Sequence, residues 1–261
     1  MSHRLTLRAI ALVGIGLACL APGARADWNP GDAYKMHYPQ LPNPSGWDVD
    51  FTFPQFLADD WRCTQTGPVS DVHFWFSFHE DRVVPVQSIH LSIHSDIPAD
   101  ATHPFSRPGD LLWERDFSTI SSGVIIRPYG TGVQGWYEPK APAPNWVFPD
   151  HNQFFQANIV NIPQPFIQDV GTIYWLDISV VLGTDPTGQP GQAGWKTSLD
   201  HFNDDAVWAH FQPGAPFVWN ELRDPITQQS LDLAFVITPE PSVIGLLGLG
   251  ALLMRVGRRP R

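Results

Sequence analysis

Disulfide chemistry is closed to this chain. Of its 261 residues only Cys19 and Cys63 are cysteines, and Cys19 lies in a segment expected to be removed on export. One remaining thiol cannot close an intramolecular bridge, and beside Trp61 it reads as a small buried hydrophobe. The fold must then rest on its core, which a domain of roughly 210 residues can build unaided. Basic charge is scarce as well. Between Asp27 and Thr238 nine Lys and Arg stand against 25 Asp and Glu, a net of −16. Such a surface repels phosphate backbones and argues against nucleic acid as a partner. The chain also lacks a Gly-x-Ser-x-Gly elbow, a His-Glu-x-x-His helix, a phosphate-binding glycine loop and an EF-hand spacing. No nucleophile or base is therefore named by motif, and the expectation is a protein that is not an enzyme. No amphipathic helical period is sustained over three turns between the termini, which disfavours helical and βαβ architectures.

What is present is strand patterning broken by turns, with 26 Pro and 21 Gly. In Val72 to His79 the residues Val72, Phe74, Phe76 and Phe78 alternate with His73, Trp75, Ser77 and His79, so the two sets face opposite ways. Ile89, Leu91 and Ile93 alternate with His90, Ser92 and His94 in the same manner. Glu80 to Pro85 between the two runs is long enough for a hairpin loop, and the spacing predicts antiparallel pairing. Further strands are expected over 111–117, 123–127, 153–160, 172–182, 206–211 and 230–237, segments mostly rich in β-branched and aromatic residues. The Pro- and Asn-rich stretch Trp28 to Gly46 reads as an irregular lead-in, and Tyr137 to Pro149 as a Pro-rich loop. With no internal repeat and no long linker, the expectation is a single all-β domain, a β-sandwich of jelly-roll type.

The termini carry addresses. Arg4 and Arg8, the apolar run Ala9 to Leu20, and Ala24-Arg25-Ala26 form a secretory signal peptide over 1–26, cleaved by signal peptidase before Asp27. Lipid attachment at Cys19 is the rival, weakened by Gly16 where a large aliphatic residue would be expected. At the other end come Pro239-Glu240-Pro241-Ser242, the apolar run Val243 to Met254, and Arg255, Arg258, Arg259 and Arg261. The prolines stop the last strand, the apolar run enters the inner membrane as a short transmembrane segment, and the arginines stay cytoplasmic. At about 1.5 Å per residue that run spans only about 18 Å, which suits a transient anchor.

This tripartite tail, residues 239–261, closely resembles the PEP-CTERM sorting signal of Gram-negative bacteria. The resemblance implies that a membrane exosortase cleaves near Pro239, Glu240 and Pro241 and passes residues 27–238 to the cell envelope or an extracellular matrix. An ordinary single-span anchor is the alternative. The intervening domain resembles a β-rich secreted family found with such tails, through Ala58-Asp-Asp-Trp-Arg-Cys63, Gly171-Thr-Ile-Tyr-Trp-Leu-Asp177, Gly194-Trp-Lys-Thr-Ser198, Asn203-Asp-Asp-Ala-Val-Trp208 and Ser230-Leu-Asp-Leu-Ala-Phe235. That resemblance implies a secreted sandwich and brings no mechanism.

Three constellations could carry chemistry. If the first two strands pair, His73 falls opposite His94, close enough to share a metal ion, although polar residues on an exposed sheet account for the pattern equally. Asp200, Asp204 and Asp205 could ligate calcium, with solvated surface charge as the default reading and no other cofactor expected. Among the 11 Trp residues, Trp136 and Trp146 flank the Pro-rich loop and are expected to be more exposed than Trp175, hence candidates for stacking on polysaccharide. The expected function is a non-catalytic envelope or matrix protein contacting glycans. The alternative is a secreted glycan-active enzyme built on two converging carboxylates.

Overall fold

The computed structural model describes residues 27–120 and 123–239. The signal segment, and the tail from Glu240 through Pro241 and the membrane segment, lie outside them. Within them the chain forms β1 (Trp47–Asp50), β2 (Gln55–Arg62), β3 (Gly67–Pro68), β4 (Asp71–Phe78), β5 (Val86–Ile97), β6 (Arg107–Ser118), β7 (Val124–Tyr137) and β8 (Trp146–Ile159). It continues with β9 (Ile167–Gln168), β10 (Ile173–Leu182), β11 (Ala193–Ser198), β12 (Val207–His210), β13 (Asn220–Glu221), β14 (Asp232–Leu233) and β15 (Phe235–Thr238). Among the described residues the sole helical turn is a 3-10 turn at His79–Asp81, and no helix is long and apolar enough to cross a membrane. The domain is all-β.

Two sheets enclose the core. One has seven strands in the order β14-β11-β1-β7-β8-β4-β15, the other six in the order β13-β12-β2-β10-β5-β6, and β3 pairs with β9 apart from both. The apolar members of each alternation meet between them: Val49, Phe51, Phe74, Phe76 and Trp195 from the larger sheet, and Leu57, Trp61, Leu91, Ile93, Leu176 and Ile178 from the smaller. Phe51, Phe74 and Trp195 lie at ring distances of 6.0 to 6.4 Å, the edge-on and tilted spacing that favours aromatic pairs. At about 25 cal/mol per Å² of apolar surface removed from water, such a core holds the sheets together without disulfides.

The larger sheet also closes on itself. One edge of β11 pairs with β1, through Asp48↔Lys196, Val49↔Trp195 and Asp50↔Gly194. Its other edge pairs with β4, through Ala193↔Phe78, Gly194↔Ser77 and Trp195↔Phe76. The path β11-β1-β7-β8-β4 therefore returns to β11 as a five-stranded ring, with β1 and β7 parallel and the other pairs antiparallel. Side chains pointing away from the core meet inside it. His151 on β8 reaches Asp48 on β1 at 3.0 Å, and Ser77 on β4 donates to Gln134 on β7 at 3.2 Å, contacts between strands that are not neighbours. The ring interior is thus polar, charged and closed to solvent.

The expected hairpin of the first two long strands does not form. β4 lies in the seven-stranded sheet between β8 and β15, and β5 in the six-stranded sheet between β10 and β6, so the chain from 79 to 85 crosses from one layer to the other. Both alternations keep their predicted faces, because burial of Phe74 or Leu91 needs only an opposing layer, whichever strand lies alongside. The Pro-rich loop is shorter than expected: β7 runs through Trp136 and Tyr137, β8 starts at Trp146, and only 138–145 turn between them.

Candidate ligand-binding face

The outward face of the six-stranded sheet carries part of the unmatched chemistry. Alternation on β10 sends Leu176, Ile178 and Val180 into the core and Trp175, Asp177 and Ser179 outward. Register sets Asp177 beside Ser92 and Ala58, Trp175 beside His94 and Asp60, and Ser179 beside His90. On the edge strand Asp116 pairs with His90, and its carboxylate lies 2.8 Å from His90 Nδ1. The side-chain oxygens Asp177 Oδ1, Ser179 Oγ and Asp60 Oδ1 are all buried without a hydrogen-bond partner. Buried polar atoms are ordinarily paired, because an unmet group costs about 1–3 kcal/mol. Of these three residues, Ser179 also lines a cavity on this face.

Aromatic rings frame that face. Phe53, 49% exposed, touches Phe56 and Phe211 at 6.0 and 6.1 Å, and Phe56 touches His90 and Phe217 at 5.8 and 5.5 Å. Phe217 in turn meets Trp219 at 5.1 Å, and Trp219 stands edge-on to His94. These rings come from β2, its preceding turn and the segment 211–219, which folds over the sheet. Beside Phe53 and Phe56 a cavity of about 380 Å³ is lined by these two rings, His90, Asp116 and Ser179 among others. Exposed apolar rings beside hydroxyl, imidazole and carboxylate groups are the chemistry that stacks on a sugar ring while bonding its hydroxyls.

Ser92, His94 and Asp177 lie together on this face, but in the wrong order for nucleophilic catalysis. Ser92 Oγ donates to Asp177 Oδ2 at 3.0 Å and lies 2.8 Å from His94 Nε2. His94 Nδ1 faces the Gly109 carbonyl at 3.2 Å. Asp177 thus bonds the serine and not the far side of the imidazole, where the orienting carboxylate of a catalytic triad sits. Ser92 is also sealed from solvent.

The residues singled out from the sequence fall differently. His73 and His94 lie on opposite outer sides of the core. His73 is held by Asn158 at 2.7 Å and by Thr238 at 3.2 Å, and burial lowers its pKa to about 4. The shared metal site is thereby corrected, since the pairing that created it is absent. Trp136, 2% exposed, is buried in the wall of the ring, donates to Glu138 and stacks on His79 at 4.7 Å. It cannot stack on a ligand, because its strand continues through the position expected to be loop. Trp146 is half-buried and lines a second pocket of about 420 Å³ with Trp47, Phe148 and Ile226.

The acidic cluster is partly brought together. Asp204, Asp205 and Glu221 offer ligand atoms within 4.8 Å of one another, whereas Asp200 caps Leu41 N–H at 3.0 Å. Arg223 already neutralises the group, with Nη2 3.0 Å from Asp205 and Nε 2.8 Å from Glu221. Burial and the shared hydrogen bond with Glu221 raise the Asp205 pKa to about 7.

The chain from 36 to 238 matches the family described as a domain of unknown function, DUF7901. It belongs to that family. The DUF7901 match begins at Met36, whose buried side chain and bridge to Cys63 tie the lead-in to β2, and ends at the last residue of β15, so it takes in both sheets and the ring. No curated protein matches the chain, and no solved structure does. What a DUF7901 domain does must therefore be read from its own side chains.

Proposed function

We propose that this DUF7901 protein is exported, sorted by an exosortase through Pro239, Glu240 and Pro241, and serves at the cell envelope or in the matrix as a non-catalytic, glycan-contacting β-sandwich of jelly-roll type. In this reading residues 1–26 are the cleaved signal peptide and 239–261 the transient membrane anchor. The observation that carries the glycan contact is the cavity lined by Phe53, Phe56, His90, Asp116 and Ser179, where apolar rings stand beside hydroxyl, imidazole and carboxylate groups. Asp116 and Glu114 border this face of the sheet, and the domain charge of −16 surrounds it, which favours neutral or amino sugars over uronic or phosphorylated ones. The non-catalytic reading draws support from the burial of Ser92 and from its bond to Asp177, which holds the serine and not the far side of the imidazole.

Titration of the purified domain with neutral, amino and acidic polysaccharides tests it. Binding of neutral or amino glycans is expected, weakened about tenfold in Phe56→Ala, the equivalent of about 1.4 kcal/mol. Binding untouched by Phe56→Ala, or seen only with acidic glycans, would overturn the assignment of this face. Peptide mapping of the envelope form is expected to end near Pro239; a retained tail would remove the sorting step.

A further inference from the structure

Inside the ring, Asp48 and Lys196 face each other in direct register across β1 and β11. They are 148 positions apart in sequence, both fully buried, with Nζ 2.8 Å from Oδ2. Phe154 lies 5.1 Å from the ammonium and Gln134 Oε1 accepts from it. On the acid side His151 Nε2 stands 3.0 Å from Oδ2, and Asp150 holds His151 Nδ1 at 2.7 Å. Asp48 Oδ1 has no partner. Burial lowers the Lys196 pKa from its ordinary amine value in spite of Asp48. Burial opposes charge on His151 too, but Asp150 and Asp48 raise its pKa to about 9. The imidazole is thus held as a donor aimed at the carboxyl group.

We propose that Asp48 and Lys196 condense into an intramolecular isopeptide bond that staples β1 to β11. The ammonium passes one proton to the carboxylate, and the freed Nζ lone pair attacks Cγ. The C–N bond forms and the C–Oδ1 bond breaks; Nζ gives up a second proton, and Oδ1 leaves carrying both as water. Ammonium plus carboxylate equals amide plus water, so charge and atoms balance with no co-reactant. His151 N–H stabilises the negative charge that builds on Oδ2 in the tetrahedral intermediate, the service of an oxyanion hole. Asp150 fixes its orientation. Register supplies proximity worth many orders of magnitude in rate.

The product answers the two electrostatic faults of the site. Two buried charges become one neutral amide, and the unpartnered oxygen departs. The remaining carbonyl keeps its bond from His151, and the amide N–H keeps Gln134 as acceptor. A domain that can form no disulfide gains a covalent link between distant segments, which constrains the unfolded chain as a disulfide would.

Intact mass of the full chain, with terminal processing fixed by peptide mapping, decides it. The expected result is a deficit of about 18 Da, one water, a branched peptide joining Asp48 to Lys196, and restoration of the full sequence mass in Lys196→Arg, which keeps the cation and removes the nucleophile. A wild-type mass equal to that of the sequence overturns the proposal without any variant having to fold. So does a deficit of about 17 Da, one ammonia, mapped to Gln134.

Discussion

At the scale of single residues, alternation was a reliable guide to facing and a poor one to exposure. Phe74, Leu91 and Ile178 point where their spacing says, but the opposite set on β4, His73, Trp75 and Ser77, is buried as well, because the ring and the lead-in cover that side. Charged residues in strands read as solvated, so Asp48, Lys196 and His151 carried no sign of their network; only closure of the ring brings them together. Phe53, Phe56, Phe217 and Trp219 match no motif. The one sequence signal for Phe53 and Phe56 was the aromatic crowding of 51–56, which core packing explains equally. Asp60 is the clearest residue-scale test. Burial raises its pKa well above the ordinary 3.8, only Asn203 opposes this, and Asp232, Asp96 and Asp204 add repulsion. Asp60→Asn keeps the shape and an acceptor for Asn203 while removing the charge. Denaturant titrations should find it more stable than the parent by about 1–2 kcal/mol at pH 8, with little difference at pH 4, where the parent carboxyl is already protonated. Destabilisation at pH 8 would mean that Asp60 is paired by something it does not touch here.

At the scale of elements, most strands were legible where apolar residues alternate over six or more positions. β1, β2 and β11 were not, because Asp48, Asp50, Asp59, Asp60 and Lys196 interrupt the pattern and suggest surface. β2 is nonetheless central, paired with β10 and β12, and Asp59 is tolerated there because Gln40 and Leu233 N–H donate to it at 2.9 and 2.6 Å. The lead-in is irregular, as its Pro- and Asn-rich composition predicts, yet it is a structural element in its own right. It bridges to Cys63, Phe235 and Ser198, and it presses on β7 so closely that a Cβ on Gly132 would stand 1.8 Å from the Pro44 carbonyl oxygen. Backbone cannot yield as a flexible side chain can. Gly132→Ala should therefore cost about 3 kcal/mol, at the upper end of overpacking, and lower the urea midpoint. Gly171→Ala, at φ +87° with open space around it, should cost only about 1 kcal/mol of backbone strain. Equal effects would show that the lead-in does not pack on β7.

At the scale of the whole molecule, the acidic composition and the burial of carboxylates combine into one pH dependence. Burial raises Asp50 and Asp205 to about 7 and Asp232 to about 6, and lifts Asp59 and Asp60 well above 3.8. For these groups the folded state holds protons that the unfolded chain releases, so their stabilisation is complete below about pH 4 and lost as pH rises through 6 to 7. Asp150 and Asp224 run the other way. Burial opposes their charge, but His151 and His79 bind Asp150, and Thr227, Trp47 and Ile226 donate to Asp224, so both fall below the ordinary value. Their contribution vanishes as pH drops below about 4. The repulsion of a −16 surface also eases as carboxylates protonate. His73 and His37, held neutral by burial with pKa values of about 4 and about 3, work against the fold as pH drops below about 6.5, so the stability maximum lies between about pH 5 and 6.5 and the melting temperature falls from there to pH 8. Added salt should recover only the part of that loss due to surface repulsion, since buried groups are poorly screened. A maximum at pH 7 to 8, or full recovery by salt, would mean that the buried aspartates are ionised in the native fold and held by counter-charges.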